Sequence, residues 1–185
     1  MNQANTEKAC ITTYTGKKFH LLDPAIEDID IKDIAHSLAM QCRWTGHSKF
    51  HYSVAQHSYY CSFLGPKKEA LDRLLHDASE SYMADMSRPL KHYTDAGITY
   101  RLQEKIVQNA IRHRFGLGRE PKSVHEADNQ MLFAEKKQIM GNPDWDESLE
   151  IHTNYGTANI KIKKWSPEYA ERMFLKRFKQ LYKGK

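Results

Sequence analysis

At 185 residues the chain is long enough to bury a substantial core, and 40% apolar with 28% charged residues rules out a disordered or low-complexity polymer. No apolar run approaches the roughly 20 residues of a membrane helix, and the start MNQANTEKAC carries no signal core, so a cytoplasmic protein without membrane contact is expected. Three cysteines (Cys10, Cys42, Cys61) with no CxxC pair argue against a disulfide framework or a multi-thiolate zinc cage, and the net charge of +5 suits an anionic ligand.

Taken in order, the polar start gives way at residues 11–22 to β-branched and aromatic residues around Gly16-Lys17, the pattern of a short hairpin. After Asp23-Pro24 helical spacing takes over. Ile31, Ile34, Leu38 and Cys42 predict a helix over 31–42 with Asp30 as its N-cap. A polar loop through Arg43-Trp44-Thr45-Gly46-His47 leads to Ser53, the expected cap of a second helix that carries His57 and Cys61 and ends near Gly65-Pro66. A third helix is predicted over 69–84, a fourth over 95–115 stopping at Gly116, and a fifth from a Ser123 cap to Met140. Residues 142–165 read as irregular, with a possible strand at Ile160-Lys161-Ile162. Ser166-Pro167 then opens a last helix with an apolar stripe through Ala170, Met173, Phe174, Phe178 and Leu181. The expectation is a single all-α domain over 1–185 with a small N-terminal β-hairpin.

Four residues stand out against this frame: His57, the pair His76-Asp77, and Asp128, each in a segment with helical apolar spacing. Imidazole and carboxylate suit zinc, cobalt, manganese or iron. Adjacent helical residues diverge by about 100°, so His76 and Asp77 share one ion only if it lies at their common flank. Asp128, four residues from both Val124 and Leu132, falls on the buried stripe of its helix and needs a compensating cation. A lone His-Asp dipeptide is usually a hydrogen-bonded core feature. The earlier His and the later Asp favour a metal set.

The order His57 … His76-Asp77 … Asp128 resembles the HD-domain metal-dependent phosphohydrolases. The resemblance extends to Ala55-Gln56-His57-Ser58, Leu75-His76-Asp77-Ala78-Ser79-Glu80 and Arg88-Pro89-Leu90-Lys91. These stretches look like those of bacterial 5′-deoxynucleotidases and phage dATP triphosphohydrolases, over about residues 30–140. Arg43-Trp44 is similar to the substrate-contacting pair of the nucleotidases, although the stretch from Arg43 to His57 is one residue shorter here.

The resemblance implies an HD-domain helical bundle that binds a divalent ion (Zn²⁺, Co²⁺ or Mn²⁺, with room for additional Mg²⁺) through His57, His76, Asp77 and Asp128. It implies hydrolysis of a small deoxynucleotide at the α-phosphorus, with dATP leading and deoxynucleoside monophosphates as the alternative. Asp77 and Glu80 would be catalytic, Glu80 orienting the water or moving its proton. Arg43 and Lys91 would meet phosphate, Trp44 the base or sugar, and Asp85 the 3′-hydroxyl. His125 would face the phosphates or cap its helix, and both readings stay open. A homo-oligomer, dimer or hexamer, is also implied, in host cytoplasm if phage-encoded. A non-catalytic nucleotide- or metal-binding sensor is the rival from another class. The basic tail from Lys161 reads as a solvated helix face rather than a nucleic-acid surface.

Overall fold

Two short strands open the chain in the computed structural model, which describes residues 7–140 and 155–184. β1 (Cys10–Thr12) and β2 (Lys18–His20) pair antiparallel with Ile11 opposite Phe19. Gly16 turns the hairpin at φ +84°, a conformation that costs glycine little. The turn is fastened to the first helix by the buried Asp33 carboxylate, which accepts from Thr15 N at 2.6 Å and Thr15 Oγ1 at 2.9 Å.

The rest is helical, as expected. α1 (Ile31–Met40) is capped by Asp30, which accepts from Lys32 N, and α2 (Val54–Cys61) by Ser53, which accepts from Gln56 N. Each such cap is worth about 1 kcal/mol. α6 (Asp95–Arg114), α7 (Lys122–Ile139) and α8 (Pro167–Leu181) are the long elements, and Ser166 caps the last through Tyr169 N. One core joins Phe19, Leu38, Leu74, Ile111 and Phe174 from the hairpin and four helices. A second gathers Tyr52, Cys61, Met131 and Ile139, and Trp165 packs against both. No helix among the described residues is long and apolar enough to cross a membrane.

Several expected elements change. The helix predicted over 69–84 is broken into α3 (Ala70–Leu74) and α4 (Glu80–Met83), with a tight turn between them. Ala78 N bonds Leu75 O and Glu80 N bonds Asp77 O, three residues back in each case, which winds the chain more tightly than an α-helix. The groups this frees are taken up by a side chain from α6. Gln108 Nε2 donates to Leu75 O at 2.7 Å, and Ser79 N donates to Gln108 Oε1 at 3.1 Å. No Gly or Pro marks the break, because a residue 29 positions away holds it open.

The Arg88-Pro89-Leu90-Lys91 stretch, outside every helix predicted, opens a short one, α5 (Arg88–Tyr93), with Pro89 in its first turn. It rests so closely on the start of α6 that a Cβ at Gly97 would run into the Lys91 and Leu90 carbonyl groups. Ser123 is not a cap: Pro121 precedes α7, and Ser123 is buried, accepting from Arg73 Nη1 at 2.8 Å. Ile160-Lys161-Ile162 form no strand. Their backbone is held by Gln138, which donates to Ile160 O and accepts from Ile162 N. Residues 1–6 of the polar start and the stretch 142–154 lie outside the described residues.

Gln108→Ala removes both bonds across the helix break, taking the partner of Ser79 N and leaving Leu75 O with Ala78 N alone. It should lower the unfolding free energy by about 2 kcal/mol, read as a shift of the urea midpoint. An unchanged midpoint would mean the break is held by something else.

Candidate metal centre

The centre is assembled from three places. α2 supplies His57, with Cys61 one turn further on. The turn between α3 and α4 supplies His76 and Asp77, and α7 supplies Asp128, with Glu135 two turns later. Because the helix breaks at that turn, His76 and Asp77 are freed from the 100° divergence that would have separated them on a helix. The His76 and Asp77 side chains meet at 3.1 Å, Nε2 to Oδ2.

Hydrogen bonds behind the rings decide what faces inward. His76 Nδ1 lies 2.8 Å from the Arg73 carbonyl oxygen, which can only accept, so this nitrogen carries a hydrogen. His57 Nδ1 lies 2.6 Å from the Glu135 carboxylate. Both rings therefore turn Nε2 toward the centre, and the two Nε2 atoms stand 3.3 Å apart. Around them, His57 Nε2 is 3.2 Å from Asp128 Oδ1 and 3.8 Å from Asp77 Oδ2, and His76 Nε2 is 3.9 Å from Asp128 Oδ1. Ligands bonded at 2.0–2.2 Å in a tetrahedron are about 3.4 Å apart, and the separations here bracket that value. A carboxylate or carbonyl on the far nitrogen of each ring is also the usual support for a metal-ligating histidine. The donor set fits a divalent cation. Cys61 adds an unexpected candidate: its Sγ is 3.4 Å from His57 Nε2, and the ligating atoms of His57, Cys61 and His76 all lie within 4.8 Å of one another.

The charges respond to this crowding. Burial opposes protonation of His76, yet the Asp77 carboxylate overcomes it and lifts the imidazole to about 9. Burial, then Arg43, resist a charge on His57, but Cys61, Glu135 and Asp128 hold it well above the usual imidazole range. Burial likewise resists ionisation of Asp128, while the hydrogen bond from His57 brings it down to about 2. Asp77 is held far below the carboxylate range by His76, His57 and Arg43, against its burial.

Arg43 closes one side. Its Nη1 is 3.4 Å from Asp77 Oδ2, and its Nε is 3.2 Å from Glu135 Oε2. Trp44 donates its indole N–H to the same Glu135 oxygen at 3.0 Å. The backbone here is left-handed at Trp44 (φ 58°), Thr45 (φ 52°) and Gly46 (φ 81°). For a β-branched residue such as Thr45 that conformation is strained, a feature that concentrates at functional sites.

Glu80 opens α4 beside the ligands, with its side chain buried and Oε2 without a hydrogen-bond partner. Burial, then Asp77 and Asp85, push it well above the usual carboxylate range, against the pull of Arg43 and Lys91. Asp85 lies at the surface, and partial desolvation of its carboxyl, then Asp77, raise it above its ordinary value. Lys91 is bonded to Glu104 at 2.7 Å. His125 is exposed, a turn before Asp128, with its ring edge-on to Tyr155.

Among the expected ligands, His57, His76, Asp77 and Asp128 converge, and Arg43, Trp44 and Glu80 border them. Asp128 is a correction in one respect. Its side chain is 41% exposed, because the inward stripe of α7 runs through Ala127, Met131 and Ala134 instead. Its carboxylate oxygen Oδ1 still meets a cationic partner at the centre, the His57 imidazole, at 3.2 Å. Glu80 and His76 do not share one helix, since the predicted helix is broken between them. Sequence reasoning missed Glu135, Cys61 and Glu104. Glu135 follows Asp128 by seven residues, two helical turns, and Cys61 follows His57 by four, so both spacings place the residue on the face of a ligand already chosen.

These observations define a helical protein with ligating side chains close enough to hold a metal ion. The chain belongs to the family of the Escherichia coli (strain K12) protein YfdR, described as uncharacterized, with 32% identity over 171 residues, 92% of this chain and 94% of that protein. It is also 34% identical over 141 residues to the uncharacterized protein RCAP_rcc00048 of Rhodobacter capsulatus, covering 69% of this chain and 71% of that one. No family model matches the chain.

The His76–Asp77 pair carries a pH signature. A group raised in the folded state contributes stability below its unfolded value and loses it as pH climbs through the folded one. The chelator-treated protein should therefore lose of order 3 kcal/mol between pH 6.5 and 9. Metal ions compete with the same protons, so zinc should bind more tightly over that interval and its uptake should release protons. Thermal melts with and without zinc check both signs. Stability of the metal-free protein that is flat across this range would contradict the paired geometry.

Proposed function

We propose that the chain is a metal-dependent phosphohydrolase of the HD-domain class that hydrolyses deoxynucleotides at the α-phosphorus, dATP to deoxyadenosine and triphosphate. The observation that supports it most is the meeting of two imidazole Nε2 atoms with two carboxylates beside a buried, unpartnered Glu80 oxygen. His57, His76, Asp77 and Asp128 would hold Zn²⁺, Co²⁺ or Mn²⁺, with additional Mg²⁺ accompanying the phosphates. Such an ion polarises a phosphate oxygen and makes a bound water acidic near neutral pH.

The remaining roles fall to the chain's own groups. Glu80, held above the ordinary carboxylate range, is suited to take the proton of an attacking water and pass it to the departing 5′-oxygen. The water oxygen bonds to the α-phosphorus as the P–O5′ bond breaks, so triphosphate and deoxyadenosine account for every atom. Arg43 can offer its unshared N–H groups to phosphate while Glu135 and Asp77 steady it. Trp44 would offer a flat face to the base or sugar, and Asp85 would accept from a 3′-hydroxyl. Lys91 and His125 would meet a phosphate chain.

One observation favours a 5′-deoxynucleotidase as the second reading. Lys91 is already paired with Glu104, near Glu80 and Asp85, which leaves less positive charge for the β- and γ-phosphates. The two readings part on products. With Mn²⁺, Co²⁺ or Zn²⁺, dATP should yield triphosphate, whereas phosphate released only from dAMP selects the nucleotidase. No hydrolysis of either with any of these ions would leave a binding module. Glu80→Gln should cut turnover by about 10²–10⁴-fold with metal content unchanged. Unaltered turnover would remove Glu80 from the chemistry.

A further inference from the structure

One fully buried carboxylate receives four hydrogen bonds from parts of the chain with two different tasks. Glu135, 0% exposed, accepts from His57 Nδ1 (2.6 Å) and Tyr52 Oη (2.9 Å) on Oε1. Its Oε2 accepts from Arg43 Nε (3.2 Å) and Trp44 Nε1 (3.0 Å). Two bonds at each oxygen use its acceptor capacity. We propose that Glu135 is a positioning residue that sets the metal ligand His57 and the Arg43-Trp44 turn in one register. Oε1 keeps the hydrogen of His57 on Nδ1 and so leaves Nε2 free to ligate. Oε2 holds the left-handed turn at Trp44 and Thr45, whose φ values of 58° and 52° need an external tie. Because α7 also carries Asp128, the tie and a ligand move as one body.

The metal arm of this inference rests on the metal-centre reading, and the indole arm does not. Glu135→Gln keeps the shape but turns one terminal acceptor into a donor. Arg43 Nε and Trp44 Nε1 can only donate, so the amide oxygen must face them and the amide nitrogen must face His57 and Tyr52. Tyr52 can rotate its hydroxyl to accept. His57 can accept only by moving its hydrogen to Nε2, where it blocks ligation.

Zinc titration against a chromophoric chelator should show affinity reduced about 10–100-fold in Glu135→Gln. ¹⁵N spectra of the zinc-loaded wild type should show a slowly exchanging Nδ1–H on His57 that the variant lacks. The Trp44 indole N–H should exchange slowly in the metal-free wild type and in Glu135→Gln, and at least tenfold faster in Glu135→Ala. Equal zinc affinity in Glu135→Gln with Nδ1–H retained overturns the proposal. So does rapid indole exchange in the wild type, a measurement that needs neither a folded variant nor metal. A wild type that binds no zinc but keeps a protected Trp44 indole defeats the metal-centre reading and, with it, the assignment of His57 as the positioned ligand.

Discussion

Two imidazole nitrogens 3.3 Å apart, flanked by the Asp77 and Asp128 carboxylates, form a cluster that no arrangement of neutral groups could tolerate. The lone pairs and negative charges must meet a cation, whether protons on the rings, the Arg43 guanidinium or a metal ion. Much of the surrounding structure serves to impose this crowding. The helix is interrupted between α3 and α4 so that His76 and Asp77 can turn to one point. Gln108 satisfies the backbone that the interruption exposes, and the Arg73 carbonyl and Glu135 fix which nitrogen of each ring faces inward.

Beyond the ligands lies a second group of charges with a different balance. Glu80, Asp85 and Glu104 surround Lys91, and burial heads the causes that raise all three carboxyl groups. Asp77 and Asp128 in the cluster around the ligands are lowered, while the adjoining carboxyl groups are held above their ordinary values. Two sets of carboxyl groups with oppositely shifted proton affinities thus lie side by side. The close seat of α5 on α6 at Gly97 keeps the second group in place, because it fixes the backbone of Lys91 against the helix that carries Glu104.

The sequence made local features legible where one residue type serves one short-range purpose. Asp30, Ser53 and Ser166-Pro167 mark helix starts because an N-cap needs an acceptor side chain next to the first turn, and all three act that way. His57 was readable for a related reason, as a polar residue interrupting helical apolar spacing, whereas Asp128 was chosen on that ground although the inward stripe passes beside it. The break around His76 was not, since its cause is an amide on α6 that no local pattern announces. Glu135 was hidden by its surroundings: in FAEKKQ it looks like one more charge on a solvated helix, and only the fold shows four donors closing on it. Cys61 passed as a small core residue, which it also is, packing in the second core. Ser123 failed as a cap because the preceding Pro121 already ends the loop, which leaves the hydroxyl inside the first turn to receive Arg73.

X-ray absorption of the zinc-loaded protein tests the central claim most directly. Two imidazoles and carboxylate oxygens at about 2.0–2.2 Å, with the outer-shell scattering of imidazole rings, is the predicted result, and it should weaken by one ring in His57→Ala. A zinc shell without imidazole, or one that His57→Ala leaves untouched, would contradict the account.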